Sequence, residues 1–90
     1  MYIEPSEIKF LTYKDLMPIF GSRSTIDRMR VERSLPIPLN PHGQRVIWPE
    51  HEINQIKLFI AAGLNASELK EKIIQIEAAR KNLLTQKKPA

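Results

Sequence analysis

Gly21 and Ser22 set the strongest limit on how this chain can fold, because they end one short apolar segment and open another with no loop between. Glycine ends helices readily and serine is a good N-cap, so the pair predicts a tight break between consecutive helices. Before the break, Thr12 and Asp15 mark a helix start of the capping-box kind, and Leu16, Ile19 and Phe20 share a face over about residues 13–20. Pro18 predicts a kinked or loosened last turn, since it lacks an N–H and disfavours helix at Met17. After the break, Ile26 and Met29 fall three apart on one face of a second helix reaching about Glu32. Arg23, Ser24, Thr25, Asp27 and Arg28 are left to its other sides. Two short helices on so tight a link form a helix-turn-helix candidate. Guanidinium groups and small hydroxyls at the exposed start of the second helix suit the major groove of DNA, where arginine grips guanine or phosphate. The bland alternative is an ordinary solvated helix.

Residues 35–48 change character. Pro36 and Pro38 bar a regular central strand but suit an edge strand, and Asn40-Pro41-His42-Gly43 is a turn by composition. Arg45-Val46-Ile47-Trp48 is β-prone and is expected to return antiparallel to the first limb. A β-hairpin directly after a helix-turn-helix is a wing. Its tip presents Asn40, His42, Gln44 and Arg45, a set able to reach sugar-phosphate or the minor groove. Trp48 reads as the core residue that anchors this wing, in preference to a stacking platform for an unpaired base.

On either side the pattern is simpler. Alternation at Ile8 and Phe10 predicts a short extended segment pinning the N-terminal arm to the core. Pro49 fits the first turn of a third helix, with Glu50 and Glu52 at its positive end. Ile53, Ile56 and Ile60 form its expected buried stripe, widened by Leu58 and Phe59, and Gly63 stops it. Asn65 to Glu68 forms a second capping box, opening a helix of about twenty residues. Leu69, Ile73, Ile76 and Leu83 follow a coiled-coil-like spacing interrupted by Arg80. Such a seam either packs on its own chain or pairs with another subunit, so these four residues are the oligomerisation candidates. The expected division is an N-terminal arm over 1–9, a DNA-binding domain over 10–64 and a C-terminal helix over 65–90 with a frayed basic tail from Gln86.

Charge narrows the partners. Lys plus Arg number 14 against 10 Asp plus Glu, a net charge of +4, which favours an acidic partner and nucleic acid first. Cysteine is absent, which excludes disulfides, thiolate chemistry and zinc fingers. His42 and His51 fall on different expected elements, and Glu50 and Glu52 point to different sides of a helix. No catalytic constellation, metal site or cofactor is therefore expected. With no signal peptide and no run of roughly 20 apolar residues, the expected location is the cytoplasm, away from membranes.

Taken together, these residues resemble small winged helix-turn-helix DNA-binding proteins related to MerR, especially AlpA-type phage regulators and excisionases. The resemblance rests on Phe10-Leu11, on Ser22 to Ile26 with Arg28, on Leu35-Pro36-Ile37-Pro38, and on Val46-Ile47-Trp48-Pro49-Glu50-His51-Glu52-Ile53, in the right order over residues 10–60. Ile60 to Leu69 is similar to the helix pair that follows the wing in MerR-type proteins, which AlpA-type chains commonly lack. The implied fold is mainly α with a small β-hairpin wing, a winged helix-turn-helix of MerR-like type, plus a C-terminal helix pair. The implied function is sequence-specific binding of double-stranded DNA in a phage or mobile element, as transcriptional regulator, excisionase or both. An integrase or recombinase, and further copies of the chain in a dimer or cooperative filament on DNA, are the implied protein partners. Three positions depart from the family. Arg30 replaces an apolar residue, Arg33 replaces a helix-closing glycine, and Gln44 stands where the wing arginine is usual, with Arg45 beside it. Either the helix end is rotated, or Arg30 and Arg33 add phosphate contacts. Metal or drug sensing of the MerR kind is not expected, because the cysteines or aromatic pocket and the full dimerisation helix are missing. Two rival readings remain: a small terminase-like packaging protein, and a protein-interaction adaptor that works through the C-terminal helix.

Overall fold

The computed structural model describes residues 2–41, 43 and 45–86. Helix α1 (Tyr13–Phe20) starts where the Asp15 carboxylate accepts from the Thr12 N–H at 2.9 Å and from its hydroxyl at 3.1 Å. Pro18 does not shorten it: the helix runs on to Phe20, and the Gly21 N–H closes it on the Met17 carbonyl at 2.9 Å. Gly21 then turns the chain at φ 121, outside the range other residues favour, and Ser22 caps helix α2 (Arg23–Val31) by accepting from the Thr25 N–H. The two helices pack on each other, burying Leu16 from the first and Ile26 from the second.

Both α2 and helix α3 (Glu50–Ala61) end in the same six-residue hydrogen-bond pattern. After α3, Gly63 at φ 83 bonds back to Ile60 and Leu64 to Phe59. After α2, Arg33 bonds to Arg30 and Ser34 to Met29, with Arg33 held at φ 60. Arg33 thus occupies the left-handed position that glycine normally fills, at a conformational cost of roughly 1–2 kcal/mol.

The expected hairpin is only partly present. Among the described residues its two limbs meet at a single antiparallel bridge, in which Leu39 and Ile47 exchange backbone hydrogen bonds of 2.8 and 2.9 Å. Residues 35–38 form no strand, because the one free N–H between the two prolines, that of Ile37, is taken by Glu77 Oε2 at 2.8 Å. The returning limb pairs elsewhere. Strand β2 (Trp48–Pro49) runs antiparallel to strand β1 (Phe10–Leu11), with Phe10 opposite Pro49 and Leu11 opposite Trp48. Pro49 is therefore an edge-strand residue and the N-cap of α3, not part of its first turn. In β1, Leu11 packs on the core while Phe10 is exposed, so of the alternating pair Ile8 and Phe10 expected to pin the arm only Ile8 is partly buried.

In α3, Ile53 and Ile56 are buried and Phe59 packs partly against them, whereas Leu58 and Ile60 face outward. The stripe advances by threes, so Phe59 takes the place expected for Ile60. Helix α4 (Ala66–Ala79) carries a complete capping box, with Glu68 N–H to Asn65 Oδ1 at 2.8 Å and Asn65 N–H to Glu68 Oε1 at 3.0 Å. It ends at Ala79 instead of running on for twenty residues, and a single turn, α5 (Asn82–Thr85), follows. Gln86 was expected in the frayed tail, but its amide brackets Ile3, accepting from the N–H at 2.8 Å and donating to the carbonyl at 2.6 Å.

One core joins these pieces. Leu16, Ile26, Leu35, Trp48, Ile53, Ile56, Leu69, Ile73 and Ile76 form a continuous buried cluster, with Trp48 fully inside it and its indole N–H satisfied by the Pro36 carbonyl at 3.1 Å. Met17, in the last turns of α1, is exposed. The architecture is mainly helical around a two-stranded antiparallel sheet. Among the described residues no helix is long and apolar enough to cross a membrane.

Candidate nucleic-acid interface

Helix α2 presents two distinct polar stripes, because its buried side is defined by Ile26 and Met29. Ser24 and Arg28, one turn apart, lie on the outward side and are both exposed. Arg28 makes no ion pair among the described residues. Arg23, Asp27 and Arg30 fall at i, i+4 and i+7, a second stripe that faces Tyr13 at the start of α1. The Thr25 hydroxyl lies 3.2 Å from the Ser22 hydroxyl, so it is part of the helix cap as well as of the helix surface.

Tyr13 organises the second stripe. Its hydroxyl donates to Asp27 Oδ1 and accepts from Arg30 Nη1. The Arg23 guanidinium carbon stands 4.3 Å from the centre of the ring, a cation–π distance, and that of Arg30 stands 6.0 Å away. The ring also meets Trp48 edge-on, with centroids 5.3 Å apart. Asp27 and Arg30 are themselves 3.8 Å apart and half exposed, so their mutual attraction is worth little on its own; the hydroxyl between them fixes the geometry.

Arg45 approaches from the loop between the Leu39–Ile47 bridge residues. With Tyr13, Lys14, Arg23, Arg30 and Val46 it lines an open concavity of about 700 Å³. Three chain segments thus bring four cations around one tyrosine, with Asp27 the acidic group held against them. A concave surface of one dominant charge focuses field lines and attracts anions. His42 and Gln44, the other expected wing contacts, lie outside the described residues. The sequence did not point to Tyr13 or Lys14. A tyrosine at a helix start is unremarkable until its hydroxyl is seen to need partners, and no spacing rule links position 13 to positions 27 and 30.

The remaining candidates sit apart from this surface. Arg33 donates to Glu77 Oε1 at 2.8 Å, pointing toward α4 instead of the concavity. Leu69, Ile73 and Ile76 are buried in this chain's own core, and Leu83 is half-buried on α5. Glu52 is 2 % exposed and receives two hydrogen bonds from Arg80, at 2.8 and 2.9 Å. Those bonds raise the Arg80 pKa above its ordinary value against the opposing effect of burial, so the guanidinium stays charged. Its Nη2 also donates to the Ile37 carbonyl at 2.7 Å. His51 is half-buried in the first turn of α3, and among the described residues its enclosed Nδ1 has no partner and no nucleophile is hydrogen-bonded to it. Among the described residues no three metal-ligating side chains cluster. Set against protein-family models, curated proteins and solved structures, the chain matches none.

Proposed function

We propose that this chain is a winged helix-turn-helix protein that binds double-stranded DNA, with α2 in the major groove and the loop around Arg45 along the backbone or minor groove. The observation that carries this reading is the convergence of Lys14, Arg23, Arg30 and Arg45 on one concavity beside the exposed Ser24–Arg28 stripe. Cations from α1, α2 and the loop spread over such a surface suit a polyanion, whose phosphates recur at regular intervals, better than a single small anion. Arg28 and Ser24 then face base edges, and the cluster around Tyr13 faces phosphate. The protein acts in the cytoplasm, without cofactor or catalysis, as a regulator or excisionase of a mobile element, alongside an integrase and further copies of itself. The adaptor reading is weaker, because three of the four residues it relied on, Leu69, Ile73 and Ile76, are used internally, and Leu83 alone stands outside the buried cluster.

The test is fluorescence anisotropy on a mixed-sequence duplex across a range of salt, followed by footprinting over selected sites. Affinity is expected to fall by about 0.9 log unit per log unit of salt for each phosphate neutralised. A protein that leaves the duplex untouched at low salt, or binds with no salt dependence, refutes the reading.

A further inference from the structure

We propose that Tyr13 is the positioning residue of this surface, a role that rests on the DNA-binding reading and refines it. Four contacts meet on one side chain. The hydroxyl joins Asp27 to Arg30, the ring face carries Arg23, and the ring makes a T-shaped contact with Trp48 at the end of the limb that brings Arg45. Trp48 is fully buried, so the ring is fixed by the core on one side while the hydroxyl fixes α2 side chains on the other. Tyr13 therefore sets both the direction of the α2 arginines and their distance from the loop.

The arrangement divides labour along α2. Asp27 and Arg30 spend a hydrogen bond each on the tyrosine, which makes them a frame instead of readers of bases. Arg28 and Ser24 have no such engagement among the described residues and are left to read sequence. A carboxylate beside phosphate-binding arginines is unfavourable unless it is held, and the Tyr13 hydroxyl holds it toward Arg30. Without that hydroxyl between them, Arg30 and Asp27, already 3.8 Å apart, can close to a direct hydrogen bond, which pulls the guanidinium out of position.

Tyr13→Phe removes only the hydroxyl and keeps the ring against Trp48 and Arg23. Binding is measured to two duplexes of equal length, one selected by the wild-type protein from a random pool and one of mixed sequence. Mixed-sequence binding depends on the number of charges, which the substitution leaves unchanged, so its affinity and salt slope should shift less than about twofold. Binding to the selected duplex depends on geometry and should weaken about tenfold. Asp27→Asn, at an exposed position, should weaken it similarly, and the double variant should be no worse than either single one, since both break the same frame. If the wild type binds neither duplex, the DNA-binding reading itself fails. If the wild type binds and Tyr13→Phe matches it on both duplexes, Tyr13 has no positioning role. Equal losses on both duplexes with a lowered unfolding midpoint, or additive losses in the double variant, overturn the proposal in favour of a purely structural tyrosine.

Discussion

Arg80→Ala is expected to be among the most damaging substitutions in the chain, although Arg80 belongs to no helix and is partly exposed. Its guanidinium is the cation paired with Glu52, which is 2 % exposed and accepts hydrogen bonds of 2.8 and 2.9 Å from it. A carboxylate at that depth that loses its cation keeps the cost of desolvation and loses the compensation, typically about 3–5 kcal/mol. The bond from Arg80 to the Ile37 carbonyl adds about 1 kcal/mol. At roughly 0.05–0.15 kcal/mol per residue, a chain of this length has some 5–13 kcal/mol in total, so the variant loses a large share of its stability. For a domain of this size the midpoint of thermal unfolding should fall by at least about 12 °C. Urea unfolding read by fluorescence is well placed to measure this, since the single tryptophan, Trp48, is fully buried. Adding Glu52→Gln to Arg80→Ala removes the stranded charge, and the double variant should recover at least half of the loss despite keeping a buried amide. A cost below about 1 kcal/mol for Arg80→Ala, or a double variant less stable than the single one, would show that Glu52 is satisfied without Arg80 and refute the reasoning.

Two further outcomes follow from the geometry of α2. Arg33→Gly and Arg33→Ala both delete the ion pair to Glu77, but only glycine relieves the φ of 60, so the glycine variant should be more stable than the alanine variant by about 1 kcal/mol in urea unfolding; equal stabilities would mean that the left-handed position carries no strain. Arg28→Ala, at an exposed site without an ion pair, should leave stability within about 0.5 kcal/mol of wild type. It should cost about 1–3 kcal/mol of binding to the selected duplex and relax preference at one base position, and undiminished specific binding would take Arg28 out of the reading set.

Local signals were legible wherever a few adjacent residues decide the outcome. The break at Gly21-Ser22, the capping residues Thr12, Ser22 and Asn65, and the stop at Gly63 depend on backbone groups within four residues of each side chain, and all are present. Burial of Ile26, Trp48, Ile53 and Ile56 was equally readable from spacing and side-chain size. What the sequence concealed is long-range. Nothing near Trp48 and Pro49 announces that they pair with Phe10 and Leu11, and nothing near Glu52 announces Arg80. The seam of Leu69, Ile73 and Ile76 has one spacing for two fates, own core or partner, and only the three-dimensional packing decides between them. Tyr13 is the clearest case. Its importance arises from four contacts with residues 10 or more positions away, each chemically ordinary alone.

The long-range contacts also explain how a stem with two prolines can hold a loop in place. Pro36 and Pro38 remove two of the donors from which a hairpin ladder would be built, so side chains replace the ladder. Glu77 takes the Ile37 N–H, Arg80 takes the Ile37 carbonyl, and the Trp48 indole takes the Pro36 carbonyl. The acidic groups used in this scaffolding, Glu52 and Glu77, pair with Arg80 and Arg33 at the end of α4. Arg23, Arg28 and Arg45 have no carboxylate at ion-pair distance among the described residues, and two of them line the concavity around Tyr13. An overall charge of +4 is thus distributed unevenly: at the loop stem it is largely neutralised for structure, and on the α2 side it is left available. That separation links stability to function. A substitution at the end of α4, such as Arg80→Ala, alters the loop that carries Arg45 without touching any cation in the concavity. Its effect on DNA binding should therefore appear as a loss of geometry with the cations of the concavity unchanged, weakening binding to a selected duplex more than binding to a mixed one.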